Sequence, residues 1–153
     1  MDTPVTSYLQ KEGVEYRLLP HTQPAKTIDE AARERGVDPQ QMVKSILLRD
    51  MGGFHVLACV PGPAQVDPKK VREMFGCRRM TCADASDVEK VTGLVIGTVA
   101  PIGLKRPLPV IFDHQITRHQ RVNISSGDRM AGVELSTDDL LLLCDPMFAD
   151  ICR

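Results

Sequence analysis

The apolar positions of this 153-residue chain switch repeatedly between a spacing of three to four and a spacing of two, so helical and strand signals interleave from end to end. A first helix is expected after Thr3-Pro4, where Val5, Tyr8 and Leu9 form one stripe and Gly13 can adopt the left-handed stop. Val14 to Leu19 then reads as a strand. Thr27-Ile28-Asp29-Glu30 has the spacing of a capping box, in which a threonine oxygen and a glutamate three residues on satisfy each other's amides, and Gly36 ends that helix. Asp38-Pro39-Gln40-Gln41 starts a shorter turn in the same way. Val43 to Arg49 and Phe54 to Val60 are strands joined at Gly52-Gly53, and a hairpin apolar on both faces is expected to be central.

Asp67-Pro68 opens a helix with Val71, Met74 and Phe75 inward and Gly76 at its end, and Ser86 to Thr92 reads as a shorter helix capped by Ser86 and Glu89. Strand-like segments follow at Leu94 to Ile96, Val110 to Phe112, Val122 to Ile124 and Val133 to Leu135. Ser136-Thr137-Asp138-Asp139 caps a last helix through Leu143. The tally of about seven strands and five helices predicts a mixed α/β fold, a curved barrel-like sheet with helices outside it. Neither repeats nor low-complexity tracts interrupt it, and the length suits a single domain over residues 1–153.

Composition narrows the function classes. With 42% hydrophobic and 25% charged residues the chain reads as an ordinary soluble globule. No apolar run approaches the ~20 residues of a membrane helix. Met1-Asp2-Thr3-Pro4 lacks the basic start and apolar stretch of a secretory signal, which points to the cytosol. A net charge of −1 supplies no field to draw the chain onto a long duplex, so DNA is not an expected partner and any nucleic-acid contact must be local. The five cysteines are odd in number and contain no Cys-x-x-Cys, which fits reduced thiols, with Cys144 and Cys152 expected to be exposed. The histidines (His21, His55, His114, His119) and the Cys77/Cys82 pair lack zinc spacing, so neither metal nor cofactor is expected.

Three segments could carry chemistry. Lys44 shares a strand face with Ile46 and Leu48, which sets an ammonium beside core residues where it could meet an anion or a reacting carbonyl; a lysine at a strand's start can also simply snorkel over the rim. Gly93 to Gly103, with Gly97, Thr98, Val99, Ala100 and Pro101 at its centre, describes a rigid turn with accessible amides; it lacks the Gly-Lys-Ser/Thr end of a phosphate-binding Walker loop. Asn123-Ile124-Ser125-Ser126-Gly127-Asp128 is a polar turn that could place the Ser125 hydroxyl in a cleft, without the neighbours a nucleophilic serine needs. Basic residues form small groups at Lys69/Lys70/Arg72, Arg78/Arg79, Lys105/Arg106 and Arg118/Arg121. Two or three of these around one cleft would grip a few phosphates.

Taken in order, Thr27 with the Glu30-Ala31-Ala32 helix, Gly36-Val37, Val43-Lys44-Ser45-Ile46-Leu47, Val60-Pro61-Gly62, Thr92-Gly93, Gly97-x-x-x-Pro101-Ile102-Gly103 and Ser125-Ser126-Gly127 resemble the YbaK family. These are freestanding relatives of the editing domain inserted in bacterial prolyl-tRNA synthetases. The resemblance implies that fold and a trans-acting deacylase that hydrolyses the ester joining a wrong small amino acid (Ser, Thr, Ala or Cys) to the end of a tRNA. Its implied partners are the charged tRNA acceptor end and, at one remove, a synthetase. It implies that Lys44 is the functional lysine, that the Gly97 to Pro101 loop holds the aminoacylated end, and that Ser125 is a polar pocket residue able to favour seryl or threonyl groups. Where relatives often carry a further polar residue, this chain reads Met130-Ala131-Gly132. The alternatives are a non-catalytic module that binds the tRNA end or a synthetase, and a hydrolase of small nucleotide esters.

Overall fold

The computed structural model describes all residues, 1–153. In chain order it contains α1 (Pro4–Lys11), β1 (Arg17–Pro20), α2 (Ile28–Arg35), a 3-10 turn (Pro39–Gln41), β2 (Val43–Arg49), β3 (His55–Pro61), α3 (Pro68–Phe75), β4 (Thr81–Cys82) and α4 (Ala85–Thr92). β5 (Val110–Asp113), a second 3-10 turn (His114–Arg118), β6 (Arg121–Ser125), β7 (Ala131–Ser136), α5 (Thr137–Cys144) and β8 (Met147–Ala149) complete it. No helix is long and apolar enough to cross a membrane.

The strands form two sheets. One is five-stranded in the order β4-β2-β3-β5-β8, antiparallel around the β2–β3 hairpin and parallel from β3 to β5 to β8. The other is the antiparallel trio β1-β7-β6. A parallel bridge between Met42 and Asn123 joins them at one corner, so the mixed α/β architecture expected from the pattern is realised as two linked sheets.

The hairpin is central for the reason its pattern gives. Val43, Leu47, Leu57 and Cys59 face a core shared with Val122, Ile124, Val133 and Leu135 of the trio, while Leu48, Val56, Ala58 and Val60 face a second cluster with Val71 and Ile111. Each fully buried aliphatic side chain contributes about 1.5–3 kcal/mol of transfer free energy.

Local details depart from the pattern at identifiable points. Leu94–Ile96 is not a strand: at the end of α4 the Thr92 hydroxyl donates to Val88 O while its Oγ1 accepts the Leu94 amide, so the chain turns at once. Two short edge strands, β4 and β8, were too brief to show period two. Asp84 rather than Ser86 caps α4, accepting the Asp87 amide, and in α2 the Glu30 carboxylate reaches the Lys26 amide instead of that of Thr27. Met74 is exposed, whereas Val71 is fully buried on the α3 stripe and Phe75 packs edge-on to Phe54. The thiol expectation also fails in part. Cys152 is buried and Cys144 half-buried, while Cys82 is the exposed one.

Asp113 gives the fold a dependence on acid. It is only 2% exposed and its carboxylate accepts the Gln115 and Ile151 amides at 2.9 and 3.0 Å. Burial pushes its pKa up, but those amide bonds outweigh burial and hold it below the ordinary value. A depressed carboxylate stabilises the fold above its unfolded pKa of about 3.9, and that contribution is lost as pH falls through the lower folded value. Denaturant melts should therefore find Asp113→Asn less stable than the parent at pH 7, with the gap closing below about pH 4. A constant gap would refute the assignment.

Candidate active site

A cavity of about 400 Å³ opens between α2, the free edge of β2, the loop around Gly97 and the turn after β6. That volume is in the range of small-molecule sites. The β2 edge is free because β4 pairs only with Leu48 and Arg49. The Ala83 amide donates to Leu47 O, so odd-numbered residues of β2 turn their main-chain groups away from β3. By alternation the Ser45 amide and carbonyl point into the cavity wall, where a sheet neighbour would otherwise take them.

The structure brings several of the singled-out residues to this one cavity. Lys44, Gly97, Val99 and Ser125 all line it. Thr98, Ala100 and Pro101 do not: they are buried behind the wall, where the Thr98 hydroxyl donates to Val95 O and the Cys144 thiol to Pro101 O. Gly97 takes φ +88°, a left-handed conformation suited to glycine.

Lys44 sits on the Ile46/Leu48 face as alternation requires, and its ammonium donates to Ala64 O. Burial holds its pKa below the ordinary lysine value. The Ser125 hydroxyl donates to Thr98 O at 2.7 Å and accepts the Gly127 amide at 3.0 Å, which ties the β6 turn to the Gly97 loop. Behind Ser45, the Cys59 thiol is pushed up to about 12 by burial and is no nucleophile at neutral pH. No three His, Cys, Asp or Glu side chains are grouped so as to hold a metal ion.

The positive charge of the cavity comes from residues other than the four basic groups picked out in the sequence, none of which lines it. It comes from Lys26 and Arg35 of the α2 region, Lys44, and Arg129, whose guanidinium donates to Ile96 O at 3.0 Å and packs 3.5 Å from where a Cβ on Gly97 would lie. Asp128 is the acidic side chain among them. Two signals for Arg35 were present in the sequence. It falls on the Ile28/Ala31/Ala32 stripe of α2, and Gly132 lies inside a strand, a frequent mark of close approach by another group.

Comparison with known proteins settles the family. The model of the aminoacyl-tRNA editing domain matches residues 22–143. The chain belongs to that family. A prolyl-tRNA editing protein, ProX, of Acetoanaerobium sticklandii is 27% identical over 141 residues, 89% of this chain and 85% of that one. EbsC of Enterococcus faecalis, a proposed Cys-tRNA(Pro)/Cys-tRNA(Cys) deacylase, is 25% identical over 123 residues, 80% of this chain and 75% of its own length. Among solved structures, a proposed trans-editing enzyme for prolyl-tRNA synthetase superposes with a TM-score of 0.86 at 27% identity, covering 98% of this chain and 95% of the other. The editing-domain matches thus cover the cavity: both its α2 wall and the β6–β7 turn lie within residues 22–143.

Proposed function

We propose that this chain acts as one editing domain in the cytosol, a trans-acting deacylase that removes a wrong small amino acid from the acceptor end of a tRNA. The observation that carries the reading is the convergence of Lys44, Gly97, Val99 and Ser125 on one cavity in a chain of the aminoacyl-tRNA editing family. The reaction needs little covalent help. Water attacks the ester carbonyl carbon, the ribose oxygen leaves with a proton, and the amino acid departs as a carboxylic acid.

In this reading the cavity contributes position and charge. Lys44 fixes an anionic or carbonyl oxygen of the terminal nucleotide, and the Ser45 amide on the free β2 edge, with the Gly97 loop beside it, serves the oxygen on which negative charge develops. The ribose hydroxyl beside the ester helps water, so no triad is required.

The test is turnover. Purified protein should release amino acid catalytically from tRNA mischarged with alanine, serine, threonine or cysteine. Stoichiometric protection of the ester without turnover would instead identify a binding module. The grip on RNA should be weak and local. With net charge −1 and a few cavity cations, the slope of log K against log salt should correspond to about two to four phosphates. A slope near ten in binding titrations would contradict recognition confined to the acceptor end.

A further inference from the structure

Arg35 is the cavity donor that the fold sets into an apolar wall. Arg35 ends α2 on the buried stripe of Ile28, Ala31 and Ala32, and its guanidinium is pressed against the main chain of β7 at Gly132. A Cβ on residue 132 would lie 2.1 Å from Arg35 Nε and 2.3 Å from Cζ, so the guanidinium occupies space that only glycine leaves open. Arg35 Nε donates to His21 Nε2 at 3.0 Å and Nη1 reaches Ile124 O at 3.4 Å.

Arg35 is absent from the ion pairs of the protein, which join Arg17 and Arg121 to Glu134, Arg49 and His55 to Asp87, and Lys70 to Asp150. Its nearest acidic neighbour in sequence, Glu34, is taken up by the Thr22 and Gln23 amides. Burial lowers the Arg35 pKa to about 10, which leaves it charged at neutral pH. The His21 ring is kept neutral by burial and by Arg35 itself, and so serves as an acceptor that holds the guanidinium in place.

The other polar side chains of the cavity stand differently. The Ser125 proton goes to Thr98 O, the Lys44 ammonium to Ala64 O, and Arg129 to Ile96 O, while Lys26 stands exposed at the rim. Arg35 spends two N–H groups on His21 and Ile124 O and keeps the others, at a wall otherwise made apolar by Ile28, Ala31 and Met42.

We propose that Arg35 is the specificity-determining residue of the cavity, donating to the lone pair of a hydroxyl or thiol on the aminoacyl group and so selecting seryl, threonyl and cysteinyl esters over alanyl ones. This rests on the deacylase reading above. A charge-assisted hydrogen bond to the correct side chain is gained, and a methyl group leaves a buried donor unpartnered. A site built this way discriminates more sharply than one that sorts by size.

Initial rates should be measured on one tRNA body charged in turn with serine, threonine, cysteine and alanine. The parent should prefer seryl over alanyl ester by about tenfold or more. Arg35→Met, which keeps the stem and removes every donor, should bring the two rates to within about threefold, chiefly by losing the seryl rate. Gly132→Ala leaves Arg35 in the chain but drives its guanidinium off β7, and should shift the ratio the same way. Because both rates come from one preparation, the ratio is insensitive to the fraction of folded protein, and Gly132→Ala serves if Arg35→Met does not fold. A parent without seryl preference, or a ratio unmoved in either variant, overturns the role of Arg35 and leaves the deacylase standing. A parent that turns over none of the four esters removes both.

Discussion

Replacing Lys44 by alanine is expected to lower deacylation by about a hundredfold or more while the protein stays folded, the scale of losing one preorganised electrostatic contact. The position of Lys44 sets the size of the effect. β2 carries Lys44 on the face of Ile46 and Leu48, so the stem is fixed by packing, and the ammonium is anchored on Ala64 O. A partly buried charge acts on a nearby oxygen through a lower effective dielectric than a solvated one, which magnifies what its removal takes away. The cost to the fold is small by comparison. One carbonyl, Ala64 O, loses a partner, worth about 1 kcal/mol. Denaturant melts report the folded state and single-turnover rates at saturating protein report the chemistry, which separates the two effects. A folded Lys44→Ala protein with parental rates would eliminate Lys44 from the mechanism.

How far the sequence revealed this site depends on the range of the interactions involved. Lys44 was legible because strand alternation is local, and the β2–β3 hairpin that carries it is defined by two apolar runs and a Gly-Gly turn. The Gly97 loop was legible as a turn, but its division into cavity-facing Gly97 and Val99 and buried Thr98, Ala100 and Pro101 depends on packing against Ser125 and Cys144, far away in the chain. Leu94–Ile96 misled because three apolar residues beside a helix end satisfy strand propensity, and a single Thr92 hydroxyl diverts them. The basic groups misled for a different reason. Clustering along the chain does not place charges together in space, and Lys26, Arg35, Lys44 and Arg129 meet at the cavity although they are scattered over the sequence. Arg35 and Gly132 left traces as single oddities, a charge on an apolar stripe and a glycine in a strand. Only the fold shows that each explains the other.

The second large effect concerns the support of the loop. Gly103 closes the segment that begins at Gly97 and takes φ +70°, and a Cβ there would meet Pro4 O at 2.7 Å, Pro4 C at 2.8 Å and Val5 Cα at 2.9 Å. All three are backbone atoms of α1, so no side chain can swing aside. α1 is itself held to the β6 turn, where the Thr3 hydroxyl donates to Ser126 O, and Val5 is fully buried in the core. Gly103→Ala should thus combine left-handed strain of about 1–2 kcal/mol with an overpacking cost of about 1–3 kcal/mol, lowering Tm by roughly 5–15 °C. Gly13 supplies the control. It has nearly the same φ, +68°, but a Cβ there meets nothing within 4 Å, so Gly13→Ala should show the strain alone, about 1–2 kcal/mol. The difference between the two variants in denaturant melts isolates the contact between the loop and α1. If the fold yields by moving the loop instead of α1, Gly103→Ala also lowers the deacylation rate at temperatures well below its Tm, whereas Gly13→Ala does not. Equal losses of stability in the two variants would show that α1 does not brace the loop.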